Sequence, residues 1–306
     1  MAGHAELTQQ HPPQSTRVIS VLRHFTTAQI VVSLQVGMRS LRPLVITPFL
    51  TGAPLVIAIT RSKCGVPISD IFFASTLTEG TPSTPLCFFQ QSATRHPTFK
   101  PVQTSAIDLT APLAEISAPI SKNTRYKIQR AEREGFTPRL VVNPTIEEGS
   151  LYAHYYDTFA KHKGLPPCNR TKLRALSTSS ALLLSSISDV DGNLLSAHAY
   201  VKDEEVGRVR LLYSASHFRS MDDSGERNKV GRANRLLHWY EILTLKNLGF
   251  KLYDLGGIPL DSTDQEKNAI ARFKLEFGGR LLLEYSGLLS TNLLGTIILP
   301  IARRRL

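Results

Sequence analysis

Residues 231–279, a stretch punctuated by glycines, constrain the fold of this chain more than any other segment. The stretch opens with apolar side chains at helical spacing on one face, which predicts an amphipathic helix: Ala233, Leu236, Leu237, Tyr240 and Leu243. Gly249 follows that helix, where a left-handed residue commonly ends one. Residues 250–255 then predict a short buried strand. Gly256 and Gly257 permit a sharp turn or a close approach to a ligand, and Gly278 and Gly279 end the next short helix in the same way.

Three apolar segments come before this stretch. Residues 181–188, 194–201 and 206–214 are separated by short polar turns, which predicts an antiparallel meander. Residues 121–134 and 145–163 predict helices, because Ser121 can cap the first, and Thr145 and Glu148 are spaced as a capping box for the second. A final strand is predicted over residues 280–285. The pattern therefore predicts an α/β (α+β) chain with a mixed sheet and helices on its faces.

Two blocks of this sequence resemble a known family. They are Ser121-Lys122-Asn123-Thr124-Arg125-Tyr126-Lys127-Ile128, and the later segment containing Tyr253-Asp254-Leu255-Gly256-Gly257 and Phe273-Lys274-Leu275-Glu276-Phe277-Gly278-Gly279. Their order and their residues resemble the acyltransferase half of the FemAB-type aminoacyl and peptidyl transferases, which belong to the wider GNAT superfamily. The resemblance implies a GNAT-like, largely antiparallel mixed sheet flanked by helices. Members usually have two such domains, so this chain resembles a compact version with a reduced N-terminal part.

The domain organisation follows from these patterns. We predict a disordered N-terminus over residues 1–16, a reduced N-terminal part over 17–104, a GNAT-like acyltransferase domain over 105–286 and a C-terminal tail over 287–306. The apolar part of the tail either packs on the domain or lies on a membrane surface. Residues 44–60 are apolar but broken by two prolines and a glycine, so a membrane span is not expected there. No secretory signal is visible, which predicts a cytoplasmic protein, with the inner face of the membrane as an alternative place.

Net charge and cysteine content indicate which classes of partner and which compartment suit this protein. The formal net charge is +11, from 36 basic and 25 acidic residues, which favours an anionic partner such as tRNA, coenzyme A, a nucleotide-sugar or an acidic membrane; a solvated basic surface is the alternative. The three cysteines are widely spaced, so the sequence predicts no metal site and no disulfide framework, which fits a reducing cytosol.

Lys274 and Asp254 are the candidate catalytic residues. Acyl transfer needs a deprotonated acceptor, a stabilised oxyanion and a donor held close. The resemblance implies that Lys274 lies at the transfer centre, where its cation would stabilise the oxyanion; the alternative is an ordinary solvated lysine. Asp254 either takes the acceptor's proton or accepts amide hydrogen bonds that shape the following turn.

The donor and acceptor sites have their own candidates. GNAT enzymes hold the coenzyme A pyrophosphate on backbone amides where the helix after the meander begins, which implies a site formed by Asn228, Gly231, Arg232 and Ala233. Gly231 and Ala233 fit the family signature, whereas Asn228 stands where the signature has Gln or Arg. The predicted substrate-binding residues are Asn123, Arg125, Tyr126, Asn234 and Tyr253. A basic, solvated helix face is the alternative for the first three, and His198 and His238 look isolated and structural.

Two functions remain open. The first is an acyltransferase that moves an acyl or aminoacyl group from acyl-CoA or aminoacyl-tRNA to an amine or hydroxyl of a cell-envelope precursor, a sugar or another small acceptor. The alternative is a non-catalytic GNAT-fold protein that binds RNA or a nucleotide in a basic cleft. Neither needs a permanently bound cofactor; acyl-CoA or aminoacyl-tRNA would be a co-substrate. Peripheral membrane contact is compatible with both, and the sequence leaves the general base and the oligomeric state open.

Overall fold

The computed structural model describes residues 57–63, 65–78, 82–216, 223–259 and 263–304, all of which belong to the compact unit Phe49–Leu306. The predicted disordered residues 1–16 and the first part of the reduced N-terminal region, residues 17–56, lie outside the described residues.

The described residues form ten strands and seven helices. The strands are β1 (Ile57–Lys63), β2 (Val66–Phe72), β3 (Leu86–Ser92), β4 (Lys100–Asp108), β5 (Thr137–Val142), β6 (Leu182–Ser188), β7 (Leu194–Asp203), β8 (Arg208–Ser216), β9 (Leu252–Ile258) and β10 (Arg280–Ser290). The helices are α1 (Leu113–Ser117), α2 (Lys122–Arg133), α3 (Ile146–Lys163), α4 (Arg170–Thr178), α5 (Ser224–Asn247), α6 (Gln265–Leu275) and α7 (Leu293–Arg304).

All ten strands join one mixed sheet in the order β1-β2-β3-β10-β4-β9-β8-β7-β6-β5. The pairs β2–β3 and β8–β9 are parallel, and the other seven pairs are antiparallel. The predicted fold class, a largely antiparallel mixed sheet flanked by helices, is therefore confirmed.

Helices cover both faces of this sheet, as the alternation of side chains along β6 shows. Leu183 and Ile187 join a core cluster with α2 and α5, whereas Leu182 and Leu184 join a second cluster with α3 and α4. Successive strand residues point to opposite faces, so β6 is apolar on both sides because both sides are covered.

The local signals in the sequence are confirmed at the helix ends. The Ser121 hydroxyl accepts the Thr124 N–H at 3.2 Å at the start of α2. At the start of α3, Thr145 and Glu148 form both hydrogen bonds of the predicted capping box, and Gly164 ends that helix at a φ of +64°. The predicted meander is present as β6, β7 and β8.

Strand pairing continues on both sides of the predicted GNAT-like domain. β4 crosses the predicted boundary at residues 104 and 105, and β10 runs to Ser290, beyond its predicted end at 285. The described strands of the N-terminal part extend the same sheet through the pair β3–β10. The predicted division at residue 105 stays a prediction. Across the described residues, no helix combines the length and apolarity needed to cross a membrane.

One irregularity in the sheet positions the site. The parallel strands β8 and β9 pair over three positions, from Arg208 opposite Leu252 to Arg210 opposite Asp254. Both strands continue beyond this point without pairing to each other. Gly256 has a φ of +82°, which regular strand geometry does not accommodate and glycine adopts without strain. The two strands therefore separate and leave a gap in the sheet.

Candidate active site

A cavity of about 660 Å³ lies where β8 and β9 separate. Its walls come from four neighbouring elements: the ends of β8 and β9, one side of α5 and the inner side of α6, with contributions from α3 and β3. The polar and charged lining residues used below are Arg210, Asn234, Arg235, His238 and Lys274. The cavity therefore brings together parts of the chain that are far apart in sequence.

Lys274 lies in the cavity wall, and its role at the transfer centre stays a prediction. It is half-buried, and its Nζ donates a hydrogen bond to the Gly257 carbonyl at 2.8 Å. Burial, followed by repulsion from Arg210, lowers the pKa of Lys274 to about 8, although Asp254 opposes the shift. An ammonium has three N–H donors. Two of them have no partner among the described residues, so a charged donor pair remains available to a ligand.

Asp254 lies under the cavity, in a buried ion cluster. Its carboxylate accepts hydrogen bonds from Arg208 at 2.5 Å, Arg210 at 2.7 Å, the Gly256 N–H at 2.8 Å and the Thr104 hydroxyl. Burial favours the neutral acid, but the charges of Arg210 and Arg208 prevail and hold the pKa of Asp254 below its usual range. The Gly256 contact matches the alternative in which Asp254 shapes the turn, and the role of Asp254 as a base stays a prediction.

A second buried carboxylate, that of Glu241 on α5, lies at the centre of a hydrogen-bond network. Its Oε1 accepts from His198 at 2.8 Å and from the Ser185 hydroxyl. Its Oε2 accepts from the Tyr200 hydroxyl at 2.6 Å and the Tyr253 hydroxyl at 2.5 Å. Burial favours the neutral acid, but the neighbouring His198 prevails and lowers the pKa of Glu241.

This network could also be considered as a metal site, because the nitrogen and oxygen atoms of His198, His238 and Glu241 lie within 4.8 Å of one another. A carboxylate oxygen offers about two lone pairs. Each oxygen of Glu241 already accepts two hydrogen bonds. The hydrogen bonds thus account for the arrangement, and no lone pair of Glu241 is left for an ion.

His238 connects the network to the cavity. The ring is almost fully buried, stacks on His198 with 4.5 Å between centroids, and lines the cavity wall. Its Nδ1 lies 2.6 Å from the Tyr253 hydroxyl oxygen. Burial, followed by repulsion from His198, lowers the pKa of His238 to about 4. The imidazole is therefore neutral at neutral pH. The interpretation of both histidines as isolated was wrong, because they belong to one network.

The predicted pyrophosphate site needs correction. α5 begins at Ser224, where the Asp223 side chain caps it by accepting the Glu226 N–H at 2.9 Å. Gly231, Arg232 and Ala233 therefore lie two turns inside the helix, where backbone N–H groups are bonded within it. Their amides are not free to bind a phosphate. Gly231 does line the cavity, but Ala233 is in the core, Arg232 pairs with Glu134, and Asn228 is exposed.

The predicted substrate-binding residues separate into two groups. Asn234 lines the cavity, and its Oδ1 lies 2.9 Å from both the Ser196 hydroxyl and His198 Nε2. Tyr253 is fully buried in the Glu241 network. By contrast, Asn123, Arg125 and Tyr126 are exposed on α2 and do not line the cavity. This matches the alternative of a solvated helix face.

The first sequence block, residues 121–128, is connected to the cavity wall through Thr124, which was not among the predicted site residues. Thr124 is buried and donates a hydrogen bond to Glu276 at 2.7 Å, and Glu276 accepts another from Arg235 at 2.8 Å. The Arg235 guanidinium in turn lies over the Phe273 ring, 4.8 Å from its centroid, in the cavity wall. This block therefore stabilises the cavity wall from outside.

The other functional candidates missed at the sequence level are His238, Glu241 and Arg210. His238 and Glu241 are three positions apart and so share a face of α5, which was a usable signal. For Arg210 no local signal existed, because its importance comes from facing Asp254 across the sheet.

Comparisons with known proteins bear on the fold. No protein-family model matches this sequence, and no curated protein matches it. L-PGS from Bacillus licheniformis is 14% identical, and the match covers 81% of this chain and 85% of that one with a TM-score of 0.51. FemX is 14% identical over 61% of each chain, with a TM-score of 0.47. N-myristoyltransferase of Saccharomyces cerevisiae with bound myristoyl-CoA is 11% identical over 77% and 62%, with a TM-score of 0.39.

At these identities similarity informs the fold, and L-PGS is the match that supports the argument. The sheet order, the two helical layers and that match agree with each other. The fold is therefore similar to that of L-PGS, and it is the largely antiparallel mixed sheet flanked by helices that the two sequence blocks predicted.

Proposed function

We propose that this protein is an acyltransferase that moves an acyl or aminoacyl group to an amine or hydroxyl. The observation that carries the proposal is Lys274, a cation in the wall of a cavity opened by the separation of β8 and β9, with two donors available to a ligand. A carbonyl that becomes tetrahedral develops negative charge on its oxygen. A fixed cation in a partly desolvated site stabilises that charge strongly.

The Gly257 carbonyl supports this role by orienting the ammonium. One N–H of Lys274 is held at 2.8 Å by that carbonyl, so the direction of the other two is constrained before a ligand binds. Gly256 fits the same arrangement, because a Cβ added there would lie 3.5 Å from Lys274 Nζ and 3.2 Å from the Leu211 carbonyl. The turn thus favours glycine because of its φ of +82° and its close approach to the Leu211 carbonyl, while the contact with the lysine would be an ordinary one.

The donor is acyl-CoA or aminoacyl-tRNA, and the acceptor is a cell-envelope precursor, a sugar or another small molecule. The amides of Gly231, Arg232 and Ala233 are bonded within α5, which argues against the predicted pyrophosphate site for coenzyme A. We therefore favour aminoacyl-tRNA as the donor. The net charge of +11 also suits a large polyanion. Neither donor leaves a permanently bound cofactor.

Transfer assays with both donor classes test the function. Charged tRNAs and acyl-coenzyme A species are incubated with a panel of amine and hydroxyl acceptors. Lys274→Ala is expected to lower turnover on the order of a hundred- to a thousand-fold, while Lys274→Arg keeps partial activity, since its charge stays but its shape changes. The matched control is Lys267→Ala on the same helix, whose side chain is 64% exposed. Equal turnover in the two alanine variants would refute the role of Lys274.

The non-catalytic alternative has an outcome of its own. A protein that transfers nothing from either donor, yet binds RNA with salt-dependent affinity in both wild-type and Lys274→Ala forms, would be a binding module. Transfer that depends on Lys274 excludes it.

We further propose that α7 places the protein on an anionic membrane surface. The inner side of this helix packs on Ile68, Leu86 and Leu288. Its outer side leaves large apolar side chains exposed, with relative exposures of 57% to 79%: Leu293, Leu294, Ile297 and Ile301. The helix is therefore apolar on both sides, and its outer side offers a contiguous apolar surface that a lipid interface could cover.

The charge around α7 fits anionic headgroups. Residues 285–306 and 86–107 contain no acidic residue. Arg303 donates a hydrogen bond to the Thr98 hydroxyl at 2.9 Å, and Arg95 and Lys100 are exposed on either side of Thr98 in sequence. The apolar stripe thus lies beside basic residues, as attraction to acidic lipid requires.

Vesicle sedimentation tests this placement. The protein is expected to sediment with phosphatidylcholine–phosphatidylglycerol vesicles, more weakly with phosphatidylcholine alone, and to lose binding in Ile297→Glu. Leu151→Glu on α3, where Leu151 is 72% exposed, introduces the same charge elsewhere and is expected to bind normally. Equal sedimentation of the two variants, or none for the wild type, would contradict the proposal.

A further inference from the structure

The two ring nitrogens of His238 have different surroundings. Nδ1 lies 2.6 Å from the Tyr253 hydroxyl oxygen and 3.1 Å from Glu241 Oε2. Nε2 has no hydrogen-bonding partner among the described residues, and the ring lines the cavity wall. One nitrogen is therefore held by the buried network, while the other is available to a bound molecule.

The network also determines which nitrogen carries the proton. Tyr253 donates its hydroxyl proton to Glu241 Oε2 at 2.5 Å, and Tyr200 donates to the same oxygen at 2.6 Å. Because the Tyr253 hydroxyl donates its proton to Glu241, its oxygen can only accept a hydrogen bond from His238. The proton of the neutral ring therefore lies on Nδ1, and Nε2 has a free lone pair.

We propose that Nε2 of His238 is the general base for the acceptor, with Tyr253 and Glu241 as positioning residues. This inference rests on the proposed function. As the acceptor's nitrogen or oxygen forms its bond to the donor's carbonyl carbon, its proton moves to Nε2. When the tetrahedral intermediate collapses, the bond from that carbon to the leaving oxygen of tRNA or sulfur of coenzyme A breaks, and the proton moves from Nε2 to the leaving atom. The ring returns to its starting state.

The charges around His238 suit a base. Glu241 on its own helix stabilises the imidazolium as it forms, while His198 on β7 and Lys274 on α6 oppose it. Tyr253 on β9 is neutral, because burial raises its pKa well above the usual value. Burial and the two opposing groups keep the ring uncharged between turnovers, and the ion pair with Glu241 is gained during proton transfer. A general base must be unprotonated before it acts, and the resting ring meets that condition at neutral pH.

The first experiment reads the tautomer without any substrate. Long-range ¹H–¹⁵N spectra of protein labelled with ¹⁵N-histidine are recorded from neutral to acidic pH, and His238→Gln assigns the resonance. We expect a neutral ring protonated at Nδ1 that becomes charged only well below neutral pH. A ring protonated at Nε2, or an imidazolium at neutral pH, would overturn the inference whatever the enzyme's substrates are.

The second experiment reads the proton transfer. His238→Gln is expected to lower turnover by about a hundred- to ten-thousand-fold and to remove the decline of kcat/KM toward acidic pH. Added imidazole should partly restore His238→Ala, since the small base can enter the vacated space. His198→Gln is the matched control: this ring belongs to the same network but does not line the cavity. This variant is expected to keep the decline of kcat/KM toward acidic pH, and its turnover should not rise when imidazole is added.

The outcomes separate this inference from the function on which it rests. Turnover that collapses in Lys274→Ala but stays within a few-fold of wild type in His238→Gln would leave the transferase standing and remove the base. If no donor supports transfer by the wild type, the proposed function itself falls. Loss of activity in His238→Gln, with rescue of His238→Ala by imidazole, supports both.

Discussion

His238 makes the stability of the folded chain depend on pH. Folding lowers the pKa of His238 from 6.5 to about 4. Between these pH values, this histidine is protonated in the unfolded chain but not in the folded chain. Stability therefore falls as the pH falls through this window. Each pH unit costs about 1.4 kcal/mol, which amounts to about 2 kcal/mol between pH 6.5 and pH 5. The ring is 2% exposed, so screening by solvent reduces this free-energy difference only slightly.

His238→Gln tests this reasoning, because glutamine can bond to Tyr253 or Glu241 but does not titrate. Urea unfolding of both proteins is followed from pH 7 to pH 5. The variant loses ring packing and is expected to be less stable than wild type at pH 7. That difference should shrink by about 2 kcal/mol at pH 5, since only wild type carries the proton penalty. Stability curves that run parallel across the interval would refute the depressed pKa.

Three further outcomes follow from the cavity and its supports. Arg208→Met leaves two buried carboxylates without their shared partner and should cost about 3 to 5 kcal/mol in thermal unfolding, whereas Arg170→Met, at a 54% exposed ion pair, should cost under about 1 kcal/mol. Gly279→Ala would put a Cβ 2.5 Å from the Ser105 hydroxyl oxygen and should destabilise the protein by about 1 to 3 kcal/mol. Gly231→Ala lies inside α5, where the nearest neighbouring atom would be 4.0 Å away, and should stabilise it by about 0.5 to 1 kcal/mol. Denaturant titration of both variants measures the two changes in the free energy of unfolding. Turnover should fall as the pH rises through about 8, because Lys274 loses its charge there, and an unchanged rate up to pH 10 would contradict a cationic role.

The helix ends and the meander could be predicted because their causes are local. Ser121 and the Thr145–Glu148 pair act on backbone groups three residues away, and the turns between β6, β7 and β8 are short. The early start of α5 was also encoded locally, in the spacing of Asp223 and Glu226. The family signature at Gly231 predicts a helix start that lies inside α5, because a short pattern of glycine and small residues arises readily by chance and does not mark the N-cap at Asp223.

Local signals along the chain predict the elements, their order and the position of Lys274 near the end of a short helix, since periodicity, caps and glycine turns act over a few residues. Tertiary structure decided what surrounds that lysine. The separation of β8 and β9 depends on where their pairing stops, and Ser185, Tyr200 and Tyr253 meet Glu241 across 56, 41 and 12 sequence positions. Strand register brings these groups together, and no local pattern records it. The surroundings of His238 and Lys274 therefore depend on the whole sheet, because the burial and the neighbouring charges of these two residues exist only after distant strands have paired.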